Sequence, residues 1–206
     1  MIELSPWYLA KAIAVFALVL LAATRYRRGR HPFPRMGPAN QITMARAALV
    51  ALLAGSIGEP APAATAWNAV ALGVVVTLLD GIDGWVSRRT QMASAFGARF
   101  DMEVDALLIQ VLAILTWQYG KAGLWVIGSG LVRYLFLAAG FIWPWLARPL
   151  QPTIRGRAIC VIQIVALLLA LLPFITPPLS TTIALAGLLA LSYSFAVDTW
   201  RLWSQP

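Results

Sequence analysis

Residues 80–105 read DGIDGWVSRRTQMASAFGARFDMEVD. Asp80, Asp83, Asp101 and Asp105 fall in this stretch, four of the eight acidic residues of the chain, with Glu103 a fifth. Apolar runs flank the stretch on both sides. A carboxylate at the centre of a membrane helix costs roughly 2.5–3.5 kcal/mol on insertion scales, so four together require a compensating partner. Carboxylate oxygen is the ligand type preferred by Mg²⁺, Ca²⁺ and Mn²⁺. Asp80 and Asp83 stand at i,i+3 and Asp101 and Asp105 at i,i+4, so each pair projects from one helix face. Two helices joined by a polar, basic connection would face their pairs across one divalent-cation site. Gly84 and Gly97 would let backbone or ligand approach closely. The alternative is a set of solvated helix termini with ordinary salt bridges to Arg88, Arg89 and Arg99.

Outward from this stretch the chain is apolar. It has 206 residues, 60% hydrophobic and only 12% charged, with a mean hydropathy of +0.77. That is a membrane composition. Seven segments are expected to span about 30 Å of hydrocarbon, near 7–24, 40–58, 66–87, 100–120, 122–146, 157–175 and 179–200. All must be helical, since a spanning segment satisfies its backbone groups internally. The expected fold is therefore an all-α, polytopic transmembrane helix bundle. The nine tryptophans fall mainly near span ends, as interfacial belts do.

The net charge of +8 reads as orientation bias and contact with anionic lipid; no nucleic acid partner is expected. Arg25, Arg27, Arg28, Arg30, Arg35, Arg88, Arg89, Arg99, Arg148, Arg155, Arg157 and Arg201 fall on one side of the expected topology, and only Lys121 on the other. This predicts an outside N-terminus, a cytoplasmic C-terminus and a cytoplasmic aspartate cluster. The first segment carries its positive residues after the apolar run, unlike a signal peptide, and reads as a retained span over residues 1–24. Residues 25–39 form a polybasic, proline-broken juxtamembrane segment, and 40–206 the membrane domain. The single Cys160 excludes an intrachain disulfide, and the single His31, in a basic loop, leaves no Ser-His-Asp or zinc-histidine pattern.

Three further places carry polar groups where apolar ones are expected. PANQITMAR opens the second segment with Asn40 as a plausible helix cap and puts Arg46 two turns into an apolar span. An unpaired cation there is expensive, so Arg46 is expected to face the interior and pair with an aspartate or a phosphate. Arg133 poses the same question in the middle of its segment. Arg155 and Arg157 stand in the loop 147–158, where they either contact an anionic ligand or only set orientation. Asp198 and Arg201 read as a local surface pair.

The aspartate stretch resembles the signature of the CDP-alcohol phosphatidyltransferase family, D-x-x-D-G-x-x-A-R-x8-G-x3-D-x3-D. Asp80, Asp83, Gly84, Arg88, Gly97, Asp101 and Asp105 match it with every gap intact, and Ser87 stands where the family usually has Ala. Asn40, Thr43 and Arg46 match the family's P-N-x-x-T-x-x-R interval. Gly156, Arg157 and Gln163 weakly resemble a stretch of the phosphatidylglycerophosphate and cardiolipin synthase branches. The resemblance implies a six-span core, to which the first span is an addition. It implies transfer of a phosphatidyl group from CDP-diacylglycerol or a related CDP-lipid to a polar alcohol, with release of CMP. Asp80, Asp83, Asp101 and Asp105 would hold Mg²⁺ or Mn²⁺, as two ions, with Asp105 also the general base. Asp80, Asp83, Gly84, Ser87, Arg88 and Gly97 would contact the nucleotide. Arg46, Arg133, Arg155 and Arg157 are the candidate acceptor-binding residues, with glycerol 3-phosphate the favoured acceptor and a cardiolipin synthase-type acceptor the alternative. Family members are commonly homodimers, and a bacterial inner membrane is the expected location. An intramembrane prenyltransferase, whose paired aspartate motifs lie on distant helices, and a cation transporter or scaffold are the rival classes.

Overall fold

The computed structural model describes residues 5–27, 36–60, 63–90, 92, 94–147 and 153–204. They form seven α-helices: α1 (Trp7–Arg27), α2 (Pro38–Gly55), α3 (Ala63–Thr90), α4 (Ala95–Gln118), α5 (Gly128–Ile142), α6 (Ile154–Leu171) and α7 (Leu179–Trp203). Short 3-10 turns at Leu124–Ile127 and Pro144–Ala147 precede and follow α5. No strand occurs among the described residues. Among the described residues, five stretches are long and apolar enough to cross a membrane: Trp7–Tyr26, Ala63–Thr90, Leu124–Ile142, Ile154–Leu171 and Leu179–Trp203. The chain is an integral membrane protein. The expected segments at 40–58 and 100–120 are helices but do not reach that apolarity. The first halves of these helices carry Asn40, Gln41, Thr43 and Arg46 in α2, and Arg99, Asp101, Glu103 and Asp105 in α4. Arg28, Arg30, His31, Arg35 and Arg148 lie outside the described residues.

The chain divides into two compact units, Met1–Val111 and Leu112–Pro206. In the first unit α1 packs against α2. The approach is close because position 55 is glycine: a Cβ there would lie 2.9 Å from the Tyr8 carbonyl oxygen. The Tyr8 hydroxyl donates to the Leu52 carbonyl at 2.9 Å. Beyond the end of α2, Lys11 Nζ donates to Glu59 Oε1 and to the Ile57 carbonyl, both at 2.6 Å. Ser5 adds its backbone N–H and hydroxyl to the same carboxylate. The added N-terminal helix is thus tied to α2 by backbone proximity and by a charged, fully partnered cluster.

Helix α2 starts earlier than Asn40. Pro38 sits in its first turn after an extended Gly37, with no side-chain cap. Proline suits that position because its fixed φ is helical and the missing N–H has no intrahelical acceptor to lose. Asn40 is therefore inside the helix and buried, which corrects its reading as a cap. Helix α3 runs to Thr90, past the expected end, with Arg88 and Arg89 in its last turn, where cations favour the helix dipole. Helix α4 begins after Ser94, whose hydroxyl accepts from the Gly97 N–H at 3.0 Å.

In the second unit α6 and α7 pack together. A Cβ at Gly187 would lie 2.6 Å from Gln163 Oε1 and 2.9 Å from the Ala166 Cβ. Thr153 caps α6 by accepting from the Gly156 N–H at 3.1 Å. Lys121 closes the other end of α6. Its Nζ donates to the carbonyls of Leu172, Pro173 and Ile175 at 3.0, 3.3 and 2.7 Å. Ser180 and Thr181 donate to the Lys121 carbonyl at 2.7 and 3.1 Å. Burial pulls the Lys121 ammonium below its ordinary pKa. Asp198 pairs with Arg155 of α6, not within the local pair with Arg201 that its spacing suggested. Neighbouring helices bring Arg155 to it from 43 residues away.

Trp7, Trp67, Trp85, Trp143, Trp200 and Trp203 are exposed near helix ends, as membrane-interface tryptophans are.

Candidate active site

The site is built wholly within the first unit, from α2, α3 and the first half of α4. Asn40, Thr43 and Arg46 stand three residues apart, each step turning about 60° around the helix, so they form one stripe of α2. All three are buried. Asp80 and Asp83 lie on α3, and Asp101 and Asp105 on α4. The structure brings all four aspartates to one point, and the point is the guanidinium of Arg46.

Arg46 Nη1 lies 2.9 Å from Asp80 Oδ1, 2.8 Å from Asp83 Oδ2 and 2.5 Å from Asp101 Oδ1. Its Nη2 lies 2.5 Å from Asp105 Oδ1. The Thr43 hydroxyl is 3.0 Å from Asp83 Oδ2. Arg46 is fully buried, while the side chains of Asp80 and Asp101 are 30% and 37% exposed and that of Asp83 only 5%. The cluster therefore has a closed end at Asp83 and an open end at Asp80 and Asp101. Arg46, expected to pair with an aspartate or a phosphate, thus meets four aspartates. This arrangement replaces the reading of solvated termini paired with nearby arginines. Arg99 pairs with Glu103 at 3.1 Å, and Arg89 lies over the Trp85 ring at 4.7 Å.

One guanidinium against four carboxylates leaves up to three negative charges. Asp80, Asp101 and Asp105 can each offer an oxygen within 4.8 Å of the others, a set able to hold a metal ion. Hard oxygen donors in excess negative charge fit Mg²⁺ or Mn²⁺. The residues present fit a divalent cation.

The two signature glycines differ in their surroundings. A Cβ at Gly97 would lie 2.6 Å from Asn40 Oδ1, so any side chain there would have to displace the buried Asn40 amide for α4 to keep its approach to α2. A Cβ at Gly84 would meet only Arg88 Nη1, at 3.5 Å. The backbone at Gly84 is open. Ser87 is half-buried and Arg88 exposed on the following turn of α3. Of the candidate acceptor residues, only Arg46 belongs to the carboxylate cluster. Arg133 is half-buried on α5, and Arg157 is exposed on the first turn of α6 beside the paired Arg155.

Thr43, bonded to Asp83, and Asn40, packed against Gly97, join the site beyond the expected residues. Their three-residue spacing with Arg46 is the signal in the sequence, since it places all three on the stripe that Arg46 buries.

The family model described as CDP-alcohol phosphatidyltransferase matches residues 36–197. The matched span takes in α2 to α6, all four aspartates and most of α7, and begins after α1. No curated protein and no solved structure matches the chain.

Proposed function

The chain belongs to the CDP-alcohol phosphatidyltransferase family, and from that premise we propose that it transfers a phosphatidyl group from CDP-diacylglycerol to glycerol 3-phosphate at the cytoplasmic face. The coarser activity comes with the family: a membrane transferase that moves a substituted phosphate group from a CDP-alcohol to an acceptor alcohol in phospholipid synthesis. The observation that carries the finer reading is the convergence of four carboxylates from α3 and α4 on one point with an open side.

In this reading Asp80, Asp83, Asp101 and Asp105 hold two divalent cations, Mg²⁺ or Mn²⁺. When bound, such ions supply charge neutralisation and Lewis acidity to a pyrophosphate. The open backbone at Gly84, with Ser87 and Arg88 one turn on, receives the cytidine nucleotide. Gly97 contributes by holding α4 against Asn40. Asp105 accepts the proton of the acceptor hydroxyl on its carboxylate. The acceptor oxygen forms a bond to the phosphorus that bears the lipid alcohol. The bond from that phosphorus to the bridging oxygen breaks, and its electron pair leaves with CMP.

The acceptor is inferred from charge. Arg133 and Arg157 are cations on α5 and α6 suited to an acceptor phosphate, through planar, multiple hydrogen-bond donation. Arg155, which pairs with Asp198, stands two residues before Arg157. The arginine asymmetry of the connections supports a cytoplasmic site and an outside N-terminus. The buried Lys121, the sole cation of the opposite connections, fits that assignment because its role as a helix cap accounts for it.

The test is purified protein with CDP-diacylglycerol, Mg²⁺ or Mn²⁺ and a panel of acceptors that includes glycerol 3-phosphate, phosphatidylglycerol, inositol phosphate and serine. CMP release and lipid product are scored. Phosphatidylglycerophosphate is the expected product, and Arg133→Gln or Arg157→Gln should raise the acceptor KM with little change for CDP-lipid. CMP release with serine or phosphatidylglycerol alone rejects the acceptor and leaves the family chemistry standing.

A further inference from the structure

We propose that Arg46 is the resident counter-ion of the aspartate cluster, and that a divalent cation enters by displacing its guanidinium from Asp80, Asp101 and Asp105. The inference rests on the metal-dependent reading above but concerns a residue which that reading leaves without a role in metal uptake.

Three observations carry it. First, the carboxylates able to hold an ion together are Asp80, Asp101 and Asp105, and each is already bonded to Arg46. A divalent ion held by these oxygens would stand against a fixed positive charge, because arginine does not deprotonate in proteins. The two cations therefore compete for one set of oxygens. Second, Arg46 is held at one end only. Its Nη atoms make every contact with the cluster, while its Nε is buried without a hydrogen-bond partner. Among the described residues, withdrawal of the guanidinium breaks no side-chain hydrogen bond other than those to the aspartates. Third, the partners are not equivalent. Asp83 is the most buried and also receives the Thr43 hydroxyl, whereas Asp80 and Asp101 are the most exposed. The ion pairs that give way to the metal include those at the open end, where an ion arrives.

The consequence is a division of labour in time. Without metal, Arg46 neutralises part of the mutual repulsion of four carboxylates and ties α2 to α3 and α4. With metal, that repulsion is relieved by the ion, and metal affinity is lowered by the work of displacing the arginine. Arg46 is in this sense a positioning residue whose removal should help metal binding and harm the metal-free protein.

The experiment measures Mn²⁺ binding by electron paramagnetic resonance on the full-length protein in detergent, with no CDP-lipid present. Arg46→Gln should bind Mn²⁺ about tenfold or more tightly than the natural protein, since a like charge next to the ion is gone. In chelator, Arg46→Gln should melt below the natural protein, and saturating Mn²⁺ should close most of that gap. Arg46→Lys keeps the charge but cannot span four carboxylates, so its affinity should lie between the two; it carries the test if the Gln variant does not fold. Unchanged or weaker Mn²⁺ binding by the variants overturns the proposal, as does the absence of Mn²⁺ binding by any of the three. Because no substrate enters this measurement, a failed CMP assay beside the expected Mn²⁺ pattern would reject the transferase reading and not the exchange.

Discussion

Lys11 Nζ lies 2.6 Å from Glu59 Oε1, so a cation on α1 meets a carboxylate in the connection after α2, 48 residues away. The pair joins a helix outside the family-matched region to the connection that follows the helix carrying Arg46.

Glu59 makes that junction pH-dependent. The Lys11 hydrogen bond, and after it those from Ser5, hold the Glu59 carboxyl down to about 2 from an ordinary 4.5. A depressed carboxylate contributes stability above its unfolded pKa and loses it as pH falls through the folded one. The contribution is thus complete above about pH 4.5 and lost between there and about pH 2. Thermal melts in detergent across this window should show a steeper loss for the natural protein than for Glu59→Gln. Parallel curves for the two proteins would remove the junction from the account.

Gly97 is expected to respond to its neighbour. The added Cβ of Gly97→Ala meets Asn40 Oδ1 at 2.6 Å, and overpacking of this kind costs about 1–3 kcal/mol. Asn40→Ala removes the obstruction, so the double variant should regain most of the stability lost in Gly97→Ala. A double variant no better than Gly97→Ala alone would mean that the glycine is needed for something other than α2–α4 packing.

The proposed base role of Asp105 is tested by Asp105→Asn, which keeps the shape of the side chain and removes the charge that would accept the proton. Turnover should fall by at least ~10²-fold, the lower range for loss of a general base, and by more than metal-dependent nucleotide binding, for which Asp80, Asp83 and Asp101 remain. Asp80→Asn or Asp101→Asn should weaken metal and nucleotide binding together. Near-normal turnover of Asp105→Asn would end its role as base, and a matching collapse of binding would make it chiefly a ligand.

Orientation is tested by reporter fusions. Those after residues 63 and 177 should report outside, and those after residues 92 and 152 the cytoplasm. The expectation follows from twelve cationic residues on one side against Lys121 on the other. A cytoplasmic signal at residue 63 would overturn the orientation of α1 and of every later helix.

Much of this protein is set by local rules that a sequence displays. Hydropathy marks the apolar helices because the cost of placing a segment in lipid is summed along the segment itself. The spacing of Asp80 with Asp83, and of Asp101 with Asp105, fixes each pair to one helix face because helical periodicity is a property of the backbone. The cost of an intramembrane cation announced that Arg46 had an anionic partner. Which partner, and how many, was decided by tertiary structure. The aspartates lie 34 to 59 residues from Arg46, and only the packing of α2 against α3 and α4 makes one guanidinium the meeting point of four carboxylates. The same holds for Asp198, whose nearest cation in sequence is Arg201 but whose partner is Arg155, and for Gly97, whose need to be glycine depends on Asn40 of another helix. Contacts between helices depend on which faces meet, and that information lies in no single segment.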